Sequence, residues 1–240
     1  MNTNLNNVKL QQISNHVFCD EKLNEMNIET KILPNPYYDY PYLIIDNFLG
    51  DSLCDEINFY INKKKEFESA NLRVRNSINA IDDRLDKKIR NTNLYKLNES
   101  LEKIYLQKFN NVQKSIEEYF KLPITSSTDI QALEYKEGCF YKAHSDDSSM
   151  IYDGDKLIGF VPIAKKRKIT TVFFTGSYGE DFLGGELKFN FLYNKSNENI
   201  LLKPKKGDLL VFLSNPYFTH EVLPVKSGSR VTLVQWHNCI

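Results

Sequence analysis

The sequence predicts an α+β, mainly β protein: an antiparallel sandwich or jelly roll with supporting N-terminal helices packed on one face. Three observations lead there. Beyond residue 127, seven short runs of β-forming residues are separated by Gly, Pro and Asn within about 110 residues, with no helical period between them. Upstream, two segments repeat apolar residues every three or four positions, the mark of amphipathic helices that need a sheet to cover. A chain of 240 residues with 41% hydrophobic residues, 15 Phe and 14 Tyr can fill the core of one large domain.

Residues 1–40 read as an N-terminal extension, polar with scattered Val8, Leu10, Ile13 and Val17, compatible with a short, loosely packed helix before the turn-rich Pro34-Asn35-Pro36. Residues 41–127 read as a strand and supporting helices of the same domain. Tyr42 to Asp46 is β-branched and short enough for a strand, and Asp51 to Phe67 carries Leu53, Ile57, Tyr60 and Ile61 at helical spacing. A longer helix follows from Leu97 through Leu101, Ile104, Tyr105, Val112, Ile116, Tyr119 and Phe120, stopped before Pro123. Residues 128–240 form the jelly-roll core, with strands expected at 129–135, 169–175, 186–192, 200–203, 208–213, 221–225 and 231–236. The piece from Ser148 to Arg167 reads as its longest irregular connection, of a length often used for lids.

Composition narrows the function. Lys plus Arg and Asp plus Glu both total 31, so no net field favours a polyanion and nucleic-acid binding is not expected. No apolar run approaches the ~18 residues that span a bilayer, and the N-terminus lacks the pattern of a signal peptide. Cys19, Cys54, Cys139 and Cys239 stand far apart and read as reduced thiols. A soluble cytoplasmic protein is the expectation.

Chemistry concentrates around His144, Asp146 and His220. Side chains two apart on an extended chain point to one face, so His144 and Asp146 could share an ion while Asp147 turns away. His220, at the mouth of another strand, supplies a third ligand; two His and one carboxylate with open positions suit non-haem Fe(II) and dioxygen. Arg230 sharpens the pattern. A five-residue turn over 225–229 would pair Pro224 with Arg230 and put the guanidinium on the face that carries His220, roughly 13 Å along the sheet. Its planar fork matches a carboxylate.

With those residues in place, the chain resembles the iron(II)/2-oxoglutarate-dependent dioxygenases, prolyl 4-hydroxylase-like branch. The string Tyr135-Lys-Glu-Gly138-Cys-Phe-Tyr141-Lys-Ala-His144-Ser-Asp146 looks like that branch's Y-x-x-G-x-x-Y-x-x-H-x-D segment. Gly184-Gly185-Glu186-Leu187, Pro204 to Phe212, His220, Arg230 and Trp236 follow in the family's order. The resemblance implies a double-stranded β-helix in which His144, Asp146 and His220 hold Fe(II) and Arg230 holds the distal carboxylate of 2-oxoglutarate. It implies that Tyr135 hydrogen-bonds the same carboxylate and that Tyr141 faces the primary substrate. Dioxygen is the second co-substrate and ascorbate a possible reductant. Hydroxylation of an unactivated carbon, with release of succinate and CO2, is the implied reaction. The carboxylate of Asp146 favours hydroxylation over halogenation, and Arg230, where some collagen-type members carry Lys, weakens the case for proline as target.

The substrate is left open between a protein or peptide side chain and a small molecule, and the oligomeric state is not legible. A different class of reading is a non-catalytic metal-binding jelly-roll sensor or recognition module, which a complete ligand set plus Arg230 argues against. Elsewhere the residues read as architecture: Gly184-Gly185 as a tight strand entry, Lys165 to Lys168 as a solvated basic loop, Trp236 as core, and His237 as facing away from the site.

Overall fold

The computed structural model describes residues 8–64, 66–70, 72–75, 81–84 and 86–240, so residues 1–7 of the extension lie outside the described residues. Two antiparallel sheets face each other. The larger runs, in order, through Leu43–Ile45, Leu209–Leu213, Arg167–Phe174, Val225–Cys239, Gln131–Lys136, Asn93–Tyr95 and Glu68–Ser69, with Phe182–Gly184 and Ile124–Ser127 also paired to the long strand Val225–Cys239. The smaller runs through Leu10–Gln12, Phe18–Asp20, Leu187–Tyr193, His220–Val222, Phe140–His144 and Arg90–Asn91, with Asn199–Leu202 paired to Leu187–Tyr193.

Alternation assigns each face of the larger sheet. Leu209, Val211, Ile169, Phe173, Val231 and Leu233 point outward into a cluster with the helices, whereas Leu210, Phe212, Val172, Phe174, Val234 and Tyr135 point inward to the smaller sheet. The outer cluster is closed by helix α1, Asp51–Lys63, through Cys54, Ile57 and Ile61, and by α2, Glu99–Phe120, through Leu101, Tyr105, Phe109 and Ile116. Both helices follow their sequence period. The Asn98 side chain caps α2 by accepting from the Leu101 N–H at 2.9 Å. Lys121 ends it in the left-handed conformation at φ 56°, two residues before Pro123. Among the described residues, no helix is long and apolar enough to cross a membrane.

Three expectations give way. Residues 10–20 form no helix: Leu10–Gln12 and Phe18–Asp20 pair antiparallel and extend the smaller sheet, and Ile13, Val17 and Leu23 are buried in the inter-sheet core rather than loosely packed. The segment after Ser148 is ordered as a hairpin, Ser148–Asp153 against Lys156–Pro162, with Asp153-Gly154-Asp155 at its turn. Its strands were not evident because they alternate only weakly and pair with each other rather than with a main sheet. The turn over 225–229 is strand instead. Gly184 pairs with Val225 and Leu183 with Ser227, and the chain passes from the smaller sheet at Val222 into the larger one. Arg230 therefore lies opposite Tyr135 in the larger sheet and faces His220 across the sandwich, not along one strand pair.

Candidate active site

His144 and His220 end up directly opposite each other on neighbouring strands of the smaller sheet, their ring centroids 4.3 Å apart. Asp146 follows two residues after His144, with Oδ1 3.7 Å from His144 Nε2. One ligand atom from each of His144, Asp146 and His220 lies within 4.8 Å of the others. The histidines are oriented from behind. Nδ1 of His144 lies 2.9 Å from the Lys142 carbonyl, and Nδ1 of His220 lies 2.9 Å from the Phe218 carbonyl. A carbonyl only accepts, so each Nδ1 carries a proton and each ring turns its Nε2 inward.

Electrostatics hold His144 neutral and Asp146 ionised. Burial, reinforced by His220, lowers the His144 pKa from 6.5 to about 3, so the ring is neutral at physiological pH. Burial works against ionisation of Asp146, but His220, His144, Arg167 and the Thr170 hydroxyl outweigh it and hold the carboxyl below its usual range. Asp147 does turn away. Its carboxylate accepts from Ser148 and Ser145, and its pKa rises to about 6 through burial.

Arg230 occupies the inner end of the same cavity. It is 1% exposed, its guanidinium sits 5.0 Å and 5.2 Å from the ring centroids of Tyr135 and Phe174, and its Nε has no hydrogen-bond partner. No ion pair to Arg230 exists among the described residues. A buried cation without an anion is costly, and burial lowers its pKa from 12.5 to about 10. Gly185 makes the guanidinium's position possible: at φ +66° a Cβ there would stand 2.9 Å from Arg230 Cδ.

The donor set matches Fe(II): two imidazoles and one carboxylate, with the remaining directions open to the cavity. The unpaired guanidinium matches the far carboxylate of a dicarboxylate chelator. A family model described as the 2OG-Fe(II) oxygenase superfamily matches residues 130–238, the segment that carries all four of these residues. Residues 130–238 are a 2OG-Fe(II) oxygenase domain.

Solved structures agree on the fold of the oxygenase. A Pseudomonas putida prolyl-4-hydroxylase superposes with a TM-score of 0.59 at 19% identity, covering 83% of this chain and 92% of that one. A viral collagen prolyl hydroxylase from Paramecium Bursaria Chlorella virus-1, solved with 2-oxoglutarate, gives 0.54 at 22% identity over 84% and 97%. A Trichoplax adhaerens prolyl hydroxylase bound to a hypoxia-inducible-factor peptide fragment gives 0.54 at 20% identity over 82% and 83%.

The oxygenase cavity has two parts. The inner one, ≈ 40 Å³, is lined by His144, Asp146, His220, Tyr135 and Arg230 with apolar walls from Leu133, Val172, Leu187, Val222 and Val234. The outer vestibule, ≈ 380 Å³, shares Arg90, Tyr141, His144, Asp146 and Trp236 with it and reaches the surface past Glu68, Asp129 and Ile163. Tyr141 stacks on His144 with centroids 3.6 Å apart, and the Arg90 guanidinium lies 4.7 Å over the Tyr141 ring. Burial pushes the Tyr141 hydroxyl up to about 12.

Sequence reasoning missed Arg90, Thr170 and Arg167. The run Lys165 to Lys168 is not simply a solvated loop, because Arg167 opens a strand, donates to the Asp146 carbonyl at 2.7 Å and covers Trp236 at 4.1 Å. Trp236 is accordingly a half-buried wall of the vestibule. His237 does face away: it is fully buried, stacked on Phe109, and bonded to Ser127 and Thr171 on the helix side.

Proposed function

We propose that this oxygenase hydroxylates an unactivated carbon on a side chain of a peptide or protein, with His144, Asp146 and His220 as iron ligands and Arg230 as the anchor of 2-oxoglutarate. The observation that carries the reading is the buried, unpaired Arg230 facing the triad across a narrow cavity. When bound, iron and 2-oxoglutarate together supply the oxidising chemistry that uses dioxygen and yields succinate and CO2. The residues of the chain do the rest.

Arg230 offers two parallel N–H donors to a carboxylate, and the aromatic ring of Tyr135 beside it sets the depth at which that carboxylate stops. We assign the Tyr135 hydroxyl as a second donor to it. Each histidine is fixed through Nδ1 with its Nε2 turned inward, and His144, held neutral by burial, has no proton to lose there before metal binds. The aliphatic wall from Leu133, Val172 and Val234 lowers the polarity around Arg230, which strengthens its pairing with a carboxylate. Tyr141, held between Arg90 and His144, forms the floor on which the target side chain would rest.

The cavity's shape favours a peptide over a small molecule. The inner part is too narrow for a bulky substrate, so the primary substrate approaches through the vestibule, which opens to the surface and admits a side chain from an extended segment. The fold likeness to a prolyl hydroxylase solved with a peptide supports the same choice. The test is succinate formation from 2-oxoglutarate by the Fe(II)-loaded enzyme in air, with and without a peptide library, followed by mass spectrometry. Peptides that stimulate turnover and gain one oxygen atom support the reading; stimulation only by free amino acids or sugars would replace it with small-molecule hydroxylation.

A further inference from the structure

Asp146 is the only anion among the three ligands, and a carboxylate can bind a metal through one oxygen or through both. In this structure one oxygen is already engaged. The Thr170 hydroxyl lies 2.7 Å from Asp146 Oδ2, while Oδ1 faces His144 Nε2 at 3.7 Å. An ionised carboxylate cannot donate, so Thr170 gives its proton to Asp146. The Ser214 hydroxyl, 2.8 Å from Thr170 Oγ1, must then donate to Thr170.

A directed chain of hydroxyls therefore runs from Ser214 through Thr170 to Asp146. Thr170 and Ser214 are each 1% exposed, so water does not compete for these bonds. Both are tied to the larger sheet: Thr170 pairs with Phe212 and Trp236, and Ser214, directly after strand Leu209–Leu213, donates its N–H to the Lys168 carbonyl. Asp146 comes from the connection that leaves the smaller sheet. The chain thus fixes a ligand of one sheet against the backbone frame of the other.

We propose that Thr170, oriented by Ser214, is a positioning residue that confines Asp146 to ligation through Oδ1 and thereby sets the site's metal affinity. The inference rests on the iron reading above and goes beyond it, since neither hydroxyl touches the metal position. Loss of the Thr170 donor frees the carboxylate to turn and offer both oxygens. Loss of a group of this kind typically costs about 10- to 100-fold in metal affinity.

Co(II) alone, titrated anaerobically into the full-length protein, tests this by calorimetry and visible absorption. The variants are Thr170→Val, Thr170→Ser and His144→Ala. Wild type should bind one Co(II); Thr170→Val should bind it about 10- to 100-fold more weakly with a shifted visible spectrum, and Thr170→Ser should recover both. A merely structural role would leave the spectrum unmoved. Wild-type affinity and spectrum in Thr170→Val would overturn the proposal while leaving the iron site standing. No Co(II) binding by wild type, or equal binding by His144→Ala, would instead overturn the iron reading and this inference with it. If circular dichroism shows Thr170→Val unfolded, Ser214→Ala carries the test: weaker binding supports the chain, and unchanged binding and spectrum overturn it.

Discussion

Replacing Arg230 with Met should make the unliganded protein no less stable, and more stable if anything, while abolishing tight 2-oxoglutarate binding. The guanidinium is buried and has no anion among the described residues, so folding carries its desolvation without compensation. The lowering from 12.5 to about 10 corresponds to about 3 kcal/mol against the charged form. The sign follows directly. A base whose pKa is lower in the folded state is penalised wherever it is protonated, so the penalty is complete at neutral pH and fades only as pH rises from about 10 to 12.5. The Tyr135 and Phe174 rings return about 1 kcal/mol through cation–π attraction, which leaves a net cost of about 2 kcal/mol. Met keeps the unbranched stem and removes the charge. In the liganded protein the same cation is half of a buried charge pair, whose truncation costs about 2–5 kcal/mol, so affinity should fall by about thirtyfold or more. Urea unfolding near neutral pH, with and without Co(II) and 2-oxoglutarate, reads both effects. An unliganded Arg230→Met protein less stable than wild type by more than about 1 kcal/mol would show that the cation has a partner in the apo state and refute the reasoning. So would retained 2-oxoglutarate affinity.

Further outcomes are expected from the same structure. His144→Ala and His220→Ala should lose Fe(II)-dependent turnover yet keep the far-ultraviolet circular dichroism of wild type, because both rings line the cavity and each strand keeps its backbone pairing. Gly185→Ala, in which the new methyl meets Arg230 Cδ and Val225 Cγ2 at 2.9 Å and φ is +66°, should cost about 1–2 kcal/mol of stability and raise the Michaelis constant for 2-oxoglutarate. Tyr135→Phe should raise that constant about tenfold, the value of one hydrogen bond to a charged group. His237, whose pKa burial lowers from 6.5 to about 3, stays neutral when folded. Its contribution is present above pH 6.5 and is lost as pH falls toward 3, about 2 kcal/mol by pH 5. His237→Leu should flatten that part of the stability–pH curve in denaturant titrations.

The frame and the clustering of His144, Asp146 and His220 were legible in the sequence for physical reasons that differ. Strands such as Leu209–Leu213 and Arg167–Phe174 announced themselves by β-branched and aromatic content, and α2 by its period, because both signals are local. His144, Asp146 and His220 were legible because few residue types bind metal and the i, i+2 geometry of extended chain constrains them. Arg230 was identified through an assumed hairpin that does not exist; Phe182–Gly184 takes the pairing that hairpin would have needed. The cation still meets the triad because the two strands face each other across the core. Strands Leu10–Gln12 and Phe18–Asp20 were hidden because their stability comes from distant Leu187–Tyr193. Thr170, Ser214, Arg90 and Arg167 were hidden because their roles come from cross-strand neighbours, which register decides and composition does not.

One cavity is lined by both His144, Asp146 and His220 and by Arg230, so the proposed metal site and the proposed 2-oxoglutarate anchor should act together. Anaerobic calorimetry of 2-oxoglutarate binding, with and without Fe(II), tests it most directly. Binding of one 2-oxoglutarate in the presence of Fe(II), much weakened without the metal and much weakened in His144→Ala, is the predicted result. Binding that ignores the metal, or no binding under either condition, would contradict the claim and leave a non-catalytic metal-binding module as the better description.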